Sequence, residues 1–218
     1  MRNRIASLAL SASLLFVASC SSLESTDASV EGFAEMFSGY GVDYEPARSP
    51  QELASWSDLV VTGKMVEVID GREWGSSSTD PWTARTITIV VEVSDLLQGK
   101  LPVGCEGRIY VELPSQGNLK AKPYNDALPR SSTILLYLHK MSDDLQDEIV
   151  DPRAGRPDGQ PMYQIMTPDG FLIEGGGRVT RVIETKVWSQ ADLTDFLPDN
   201  VSYPVDPKAP GEPDVSPR

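Results

Sequence analysis

Cysteine, histidine and long apolar runs are all scarce in this 218-residue chain, and each scarcity narrows its chemistry. His139 is the only histidine, which excludes a histidine-rich metal site and any Ser-His-Asp arrangement built without it. Cysteines occur only at positions 20 and 105. Beyond the first segment, no charge-free run reaches the roughly 20 residues that a bilayer-spanning helix needs. Positive charge is also short, with 19 Lys+Arg against 32 Asp+Glu and a formal net charge of −13 at pH 7. That balance opposes nucleic-acid phosphates and anionic lipid head groups, so both are poor partners. No catalytic or cofactor motif stands out.

What is present begins with an export signal. Arg2 and Arg4 form a basic start, and Ile5 to Ser19 then run apolar or small without a charge. The run is too short to span a bilayer and has the order of a cleaved signal. Its last residues, Val17-Ala18-Ser19 before Cys20, resemble the bacterial lipobox, an aliphatic residue and two small ones ahead of a cysteine. The resemblance implies that the Cys20 thiol takes a diacylglyceryl group, that residues 1–19 are removed, and that the new amino group can be acylated. An ordinary secretory signal cut near Ala18 is the alternative. Two or more acyl chains, at about 0.8 kcal/mol per buried CH₂, would hold the protein on the membrane without a spanning helix. Removing residues 1–19 takes away two positive charges and no negative ones, leaving a net charge of −15. With Cys20 lipidated, Cys105 has no internal disulfide partner, and the core must hold the domain unaided.

Residues 20–48 are polar and acidic and read as a spacer, although Val30, Phe33, Met36 and Phe37 recur at helical spacing. Residues 199–218 are acidic and proline-rich and read as a disordered tail. Between them, residues 49–198 are long enough for one domain. Ser49, Pro50 and Glu52 announce a short helix. Leu59 and Val61 then alternate on one phase and Val66 and Val68 on the other, which predicts a β-bulge at Gly63. Asp70-Gly71 opens the next loop. Ile87, Ile89, Val91 and Val93 form the cleanest half-buried strand, and Asp95 to Gly99 reads as a helical turn. Ile109, Val111 and Leu113 give a third strand. The apolar run Ile134 to Leu138 suits a strand covered on both faces. Shorter strands are expected at Tyr163–Met166, Phe171–Glu174 and Arg178–Ile183, and Ser189 to Leu197 as a short helix capped by Ser189 and Asp192.

Roughly five to seven short strands with short flanking helices predict a mainly β protein, a small OB-like β-barrel. The phrase Asp58-Leu59-Val60-Val61-Thr62-Gly63-Lys64-Met65-Val66 is similar to the opening strand of netrin-like domains. Ser94-Asp95-Leu96-Leu97-Gln98-Gly99-Lys100 is similar to the segment after their second strand. The resemblance covers roughly residues 50–185 and implies the barrel and no activity.

The candidate chemical groups each have a plain structural reading. His139 reads as a strand-end surface histidine, and Cys105, beside Glu106, as a quiet, part-buried thiol. The carboxylates Asp143, Asp144, Asp147, Glu148 and Asp151 lack the spacing of a calcium loop and read as a solvated acidic segment. Gly175-Gly176-Gly177 reads as a hairpin connection, with no phosphate-binding pattern around it. Of the aromatics Trp74, Trp82, Tyr124 and Trp188, the second and last suit a barrel plug, and Trp74 is the candidate ligand contact. The expectation is an exported protein, lipid-anchored through Cys20 to the outer face of the bacterial cell membrane. There it acts as a non-enzymatic module binding an envelope protein or glycan, without catalytic residues, metal or cofactor. An envelope hydrolase, a metal-dependent enzyme and an accessory subunit of a membrane complex are the alternatives.

Overall fold

A computed structural model describes residues 29–39, 43–75, 84–142, 149–183 and 185–204. Outside them lie the signal with Cys20, Trp82, the carboxylates Asp143, Asp144, Asp147 and Glu148, and the tail from residue 205.

Strand β1, Leu59–Trp74, is paired along its length with β2, Ala84–Gln98. Its first five residues also pair on the opposite edge with β4, Thr133–Lys140. β3, Arg108–Pro114, runs antiparallel to β2 and parallel to β5, Met162–Ile165, which returns against β4. The ring β1-β2-β3-β5-β4-β1 is the small OB-like barrel that the strand pattern predicts. β6, Phe171–Gly175, continues along the edge of β4, and β7, Arg178–Arg181, and β8, Lys186–Trp188, extend the sheet beyond the ring. Gly176 and Gly177 both have positive φ in the turn joining β6 to β7, the backbone that a two-residue hairpin requires.

β4 shows why its sequence is continuously apolar. Ile134, Leu136 and Leu138 face the barrel interior, with Ile87, Ile89 and Val111. Leu135 and Tyr137 face a second cluster with Leu53, Leu172, Trp188 and Phe196. Full burial of such a side chain contributes roughly 1.5–3 kcal/mol. The Tyr137 hydroxyl donates to the Phe196 carbonyl at 2.5 Å, so its polar end is satisfied there. Burial raises its pKa well above the usual phenol value.

Helix α1, Val30–Glu35, starts at Ser29, whose hydroxyl accepts from the Gly32 amide at 2.9 Å. Val30, Phe33 and Phe37 belong to the barrel core. This corrects the reading of residues 20–48 as spacer throughout: the helical spacing of those apolar residues marks a packed face. Phe37 in turn meets Tyr124 of helix α3, Ala121–Asp126, with ring centroids 5.4 Å apart. Tyr124 is fully buried in the same core cluster. Trp188 packs in the outer cluster instead. Helix α2, Pro50–Ser55, is capped by Ser49 as expected, and the Glu52 carboxylate accepts from the Arg48 amide.

Four local expectations are overturned. Residues 95–98 are strand, with Val61 opposite Leu96 and Val60 opposite Gln98. The Gln98 amide donates to the carbonyls of Ala54 and Ser57, which ties this end of β2 to α2. Gly71 lies inside β1, because the strand runs on to Trp74. The phase flip falls at Val66: Met65 pairs with Val91 and Glu67 with Val90, leaving Val66 as the extra residue. The irregularity at Gly63 places its extra residue, Ser94, on β2. The closing helix is a 3₁₀ turn, Leu193–Phe196, capped by Asp192 and not by Ser189. The Thr194 hydroxyl and amide hold the Asp192 carboxyl below its usual pKa.

The first residues of the tail pack as well. The Trp188 indole donates to the Pro204 carbonyl at 3.0 Å, and the Tyr203 ring lies 6.0 Å from that of Phe196. Among the described residues no helix is long and apolar enough to cross a membrane.

Candidate functional site

The outer face of β2 and β3, where OB-type barrels commonly bind ligands, is covered here by the chain itself. The described part of the β4–β5 connection, residues 149–161, returns over it, and Gly155 packs so closely on Thr88 that a β-carbon would meet the Thr88 hydroxyl at 2.3 Å. Beneath that cover sits a buried ion pair. A second irregularity in β1, between Asp70 and Glu73, accompanies a turn of Arg72 toward this outer face. Its guanidinium donates to both Glu112 oxygens, at 2.8 and 2.7 Å. The Thr86 hydroxyl donates to the same carboxylate and to the Arg72 carbonyl by turns, at 2.8 and 2.9 Å. Glu112 alternates with Val111 and Leu113, so the pattern placed it on the outer face; its partner needed the β1 register.

A cavity of about 420 Å³ opens between this pair and the β4–β5 connection. That volume is within the usual range of small-ligand sites. Its wall carries Arg72, Lys140, Arg153 and Arg156, with Asp158 as the one lining carboxylate among the described residues. Pro152, Pro157 and Pro161 stiffen the same segment. The Gln160 side-chain oxygen is buried in the wall without a hydrogen-bond partner, while its amide nitrogen donates to the Val103 carbonyl at 3.4 Å.

Trp74, the expected ligand contact, stands beside this cavity. It ends β1 and pairs through its backbone with Ile149, which lines the cavity. The Arg72 guanidinium carbon lies 5.3 Å from its ring centroid, within cation–π range. Trp74 is half-buried. The sequence singles out Trp74 but not the cations beside it, because a proline-rich connection has no periodicity to show what it covers.

The other candidates are placed as follows. His139 is half-exposed at the end of β4, with Nδ1 2.7 Å from the Asp58 carboxylate. That carboxylate also accepts the Lys140 amide. No serine, threonine or cysteine is hydrogen-bonded to His139 among the described residues. Cys105 is half-buried and free, in the turn before β3. Burial, then the charges of Cys105 and Asp58, raise the pKa of the neighbouring Tyr163 phenol. No group of three or more His, Cys, Asp or Glu among the described residues is placed to hold a metal ion. A roomier cavity of about 560 Å³ lies on the other side of the sheet, beside Tyr44, Asp169, Arg181 and Trp188. Its polar groups are spent on each other, since Arg181 donates to both Asp169 and Tyr44. Lys186 stands 5.0 Å over the Trp188 ring. Size therefore ranks behind chemistry here.

Comparison of the chain with protein-family models, curated proteins and solved structures finds no match.

Proposed function

We propose that this protein is a lipid-anchored, non-enzymatic binding module of the bacterial cell envelope. It is tethered through Cys20 and takes an envelope protein or glycan at the cavity beside Trp74. The observation that carries the binding site is the half-buried Trp74, with the Arg72 guanidinium 5.3 Å from its ring, beside the cavity that Arg72, Lys140, Ile149 and residues 152–161 line. The order of Arg2, Arg4, the uncharged run and the lipobox-like residues 17–20 supports the anchor.

Two substitutions test the two halves separately. Cys20→Ala is expected to abolish incorporation of labelled fatty acid and to release the protein from the membrane pellet. Unchanged labelling would end the lipoprotein reading. Trp74→Ala is expected to retain labelling but lose the component that the wild-type protein captures from its own membranes. Capture at wild-type level would move the binding site elsewhere. The hydrolase alternative has one observation in its favour, the Asp58–His139 pair, which orients an imidazole as a base. It requires an activity lost in His139→Gln.

A further inference from the structure

We infer that the cavity beside Tyr44, Trp188 and Tyr203 is a groove for an extended proline-rich strand, and that its occupant is the chain's own segment 205–218. The inference goes beyond the binding-module reading and does not depend on it. The spacing of the prolines comes first. Pro204, Pro207, Pro210 and Pro213 follow one another at steps of three. A polyproline II helix has three residues per turn, so in that conformation the four rings share one edge. Such a helix makes no internal hydrogen bonds, which leaves its carbonyls free to accept from a binding surface.

The first proline of the series is already held in this way. Pro204 is the last described residue, and its carbonyl accepts from the Trp188 indole at 3.0 Å. Tyr203 and Trp188 both line the cavity, so the segment that follows leaves from its wall. In the extended helix Pro207 stands roughly 9 Å beyond Pro204, so the chain reaches the cavity without a spacer. The walls suit such a ligand. Arg181 is engaged with Asp169 and Tyr44, and what the cavity then offers is the half-buried rings of Tyr44 and Tyr203 with Pro46 and Leu172 beside them. Aromatic-lined grooves of this kind dock proline-rich segments, whose preformed helix loses little entropy on binding. A tethered segment also acts at an effective concentration in the millimolar range, so modest affinity fills the site.

The test is fluorescence anisotropy of a labelled peptide of residues 205–218, titrated with the full chain in detergent. Two forms of the chain are compared, the wild type and one carrying Pro207→Ala, Pro210→Ala and Pro213→Ala. The peptide is expected to bind the substituted chain saturably and the wild type at least about tenfold more weakly, because the tethered segment competes for the groove. A peptide with the same three alanines should bind neither. Within the substituted chain, Tyr44→Ala should weaken the peptide about tenfold. Pro46→Ala, at an exposed lining residue, should weaken it severalfold without moving the melting temperature. Equal affinity for the two chains, binding of the alanine peptide, indifference to both lining substitutions, or no saturable binding to the substituted chain would each overturn the inference. So would a wild-type dimer that the three tail substitutions dissolve, since the segment would then sit on a second copy. Trp74-dependent capture from membranes is read separately and is unaffected by any of these outcomes.

Discussion

At Gly63 a β-carbon would come within 2.4 Å of the Glu92 carbonyl oxygen and 3.1 Å of Val91 Cγ1. β1 is paired on both edges at this point, to Val93 and to Ile134, so neither neighbour can withdraw without opening the barrel seam. Gly63→Ala is therefore expected to destabilise by about 1–3 kcal/mol through overpacking. Gly71 meets the same limit against Thr86, so its substitution should cost a comparable amount. Thermal melting checks both, and a Gly63→Ala protein that melts like wild type would remove close approach as the reason for the glycine. The Arg72–Glu112 pair makes a different demand. With side chains 1% and 5% exposed, removing one partner leaves a buried charge and should cost about 3–5 kcal/mol. Glu112→Leu alone should thus destabilise more than Glu112→Leu combined with Arg72→Met, a comparison made by denaturant titration. Additive losses in that cycle would show that the two groups act independently.

Elements whose burial follows a fixed period were legible, and elements held by distant partners were not. The alternation of Ile87, Ile89 and Val91 and the unbroken run of β4 announced their strands, because each pattern reports directly which faces are covered. Residues 95–98 have the composition of a helical turn, but pairing with β1 and the bonds from Gln98 to α2 override that local preference. α3 lacks a side-chain cap of its own: the Asp70 carboxylate accepts the Ala121 amide across 51 positions of sequence. No local reading finds such a cap. At the site, Trp74 was visible as an aromatic in a polar setting, while the cations beside it became a cluster only through the fold. α1 falls between these cases, its spacing visible and its partners hidden. Phe33 is fully buried and contacts both Phe37 and Phe171, with ring centroids 5.4 and 6.5 Å away. Phe33→Ala should cost about 3–5 kcal/mol in a thermal or denaturant melt. A loss below 1 kcal/mol would mean that α1 packs only loosely on the barrel.

Across the whole molecule, the two ends of the described chain close over the central domain instead of hanging from it. From the N-terminal side, Val30, Phe33 and Phe37 enter the barrel core, and the Ala47 amide donates to the buried Asp169 carboxylate at 3.2 Å. From the C-terminal side, the Asn200 carbonyl accepts the Gln51 amide at 3.0 Å, and Tyr203 and Pro204 lie against Phe196 and Trp188. A fragment of residues 49–198, the limits that composition suggests, omits Val30, Phe33, Phe37 and Ala47 on one side and Asn200, Tyr203 and Pro204 on the other. Each buried side chain lost forfeits roughly 1.5–3 kcal/mol, so losing three from the core alone approaches the total stability of about 5–15 kcal/mol that a domain possesses. That fragment should melt without cooperativity and expose apolar surface. A fragment of residues 29–204, which keeps both closures and drops the signal and the distal tail, should melt cooperatively close to the full chain. Calorimetry of the two fragments beside the full protein decides the matter. If the shorter fragment melts as cooperatively and as high as the longer one, the terminal segments only rest on the barrel, and Phe33 and Phe37 are not part of what holds it closed.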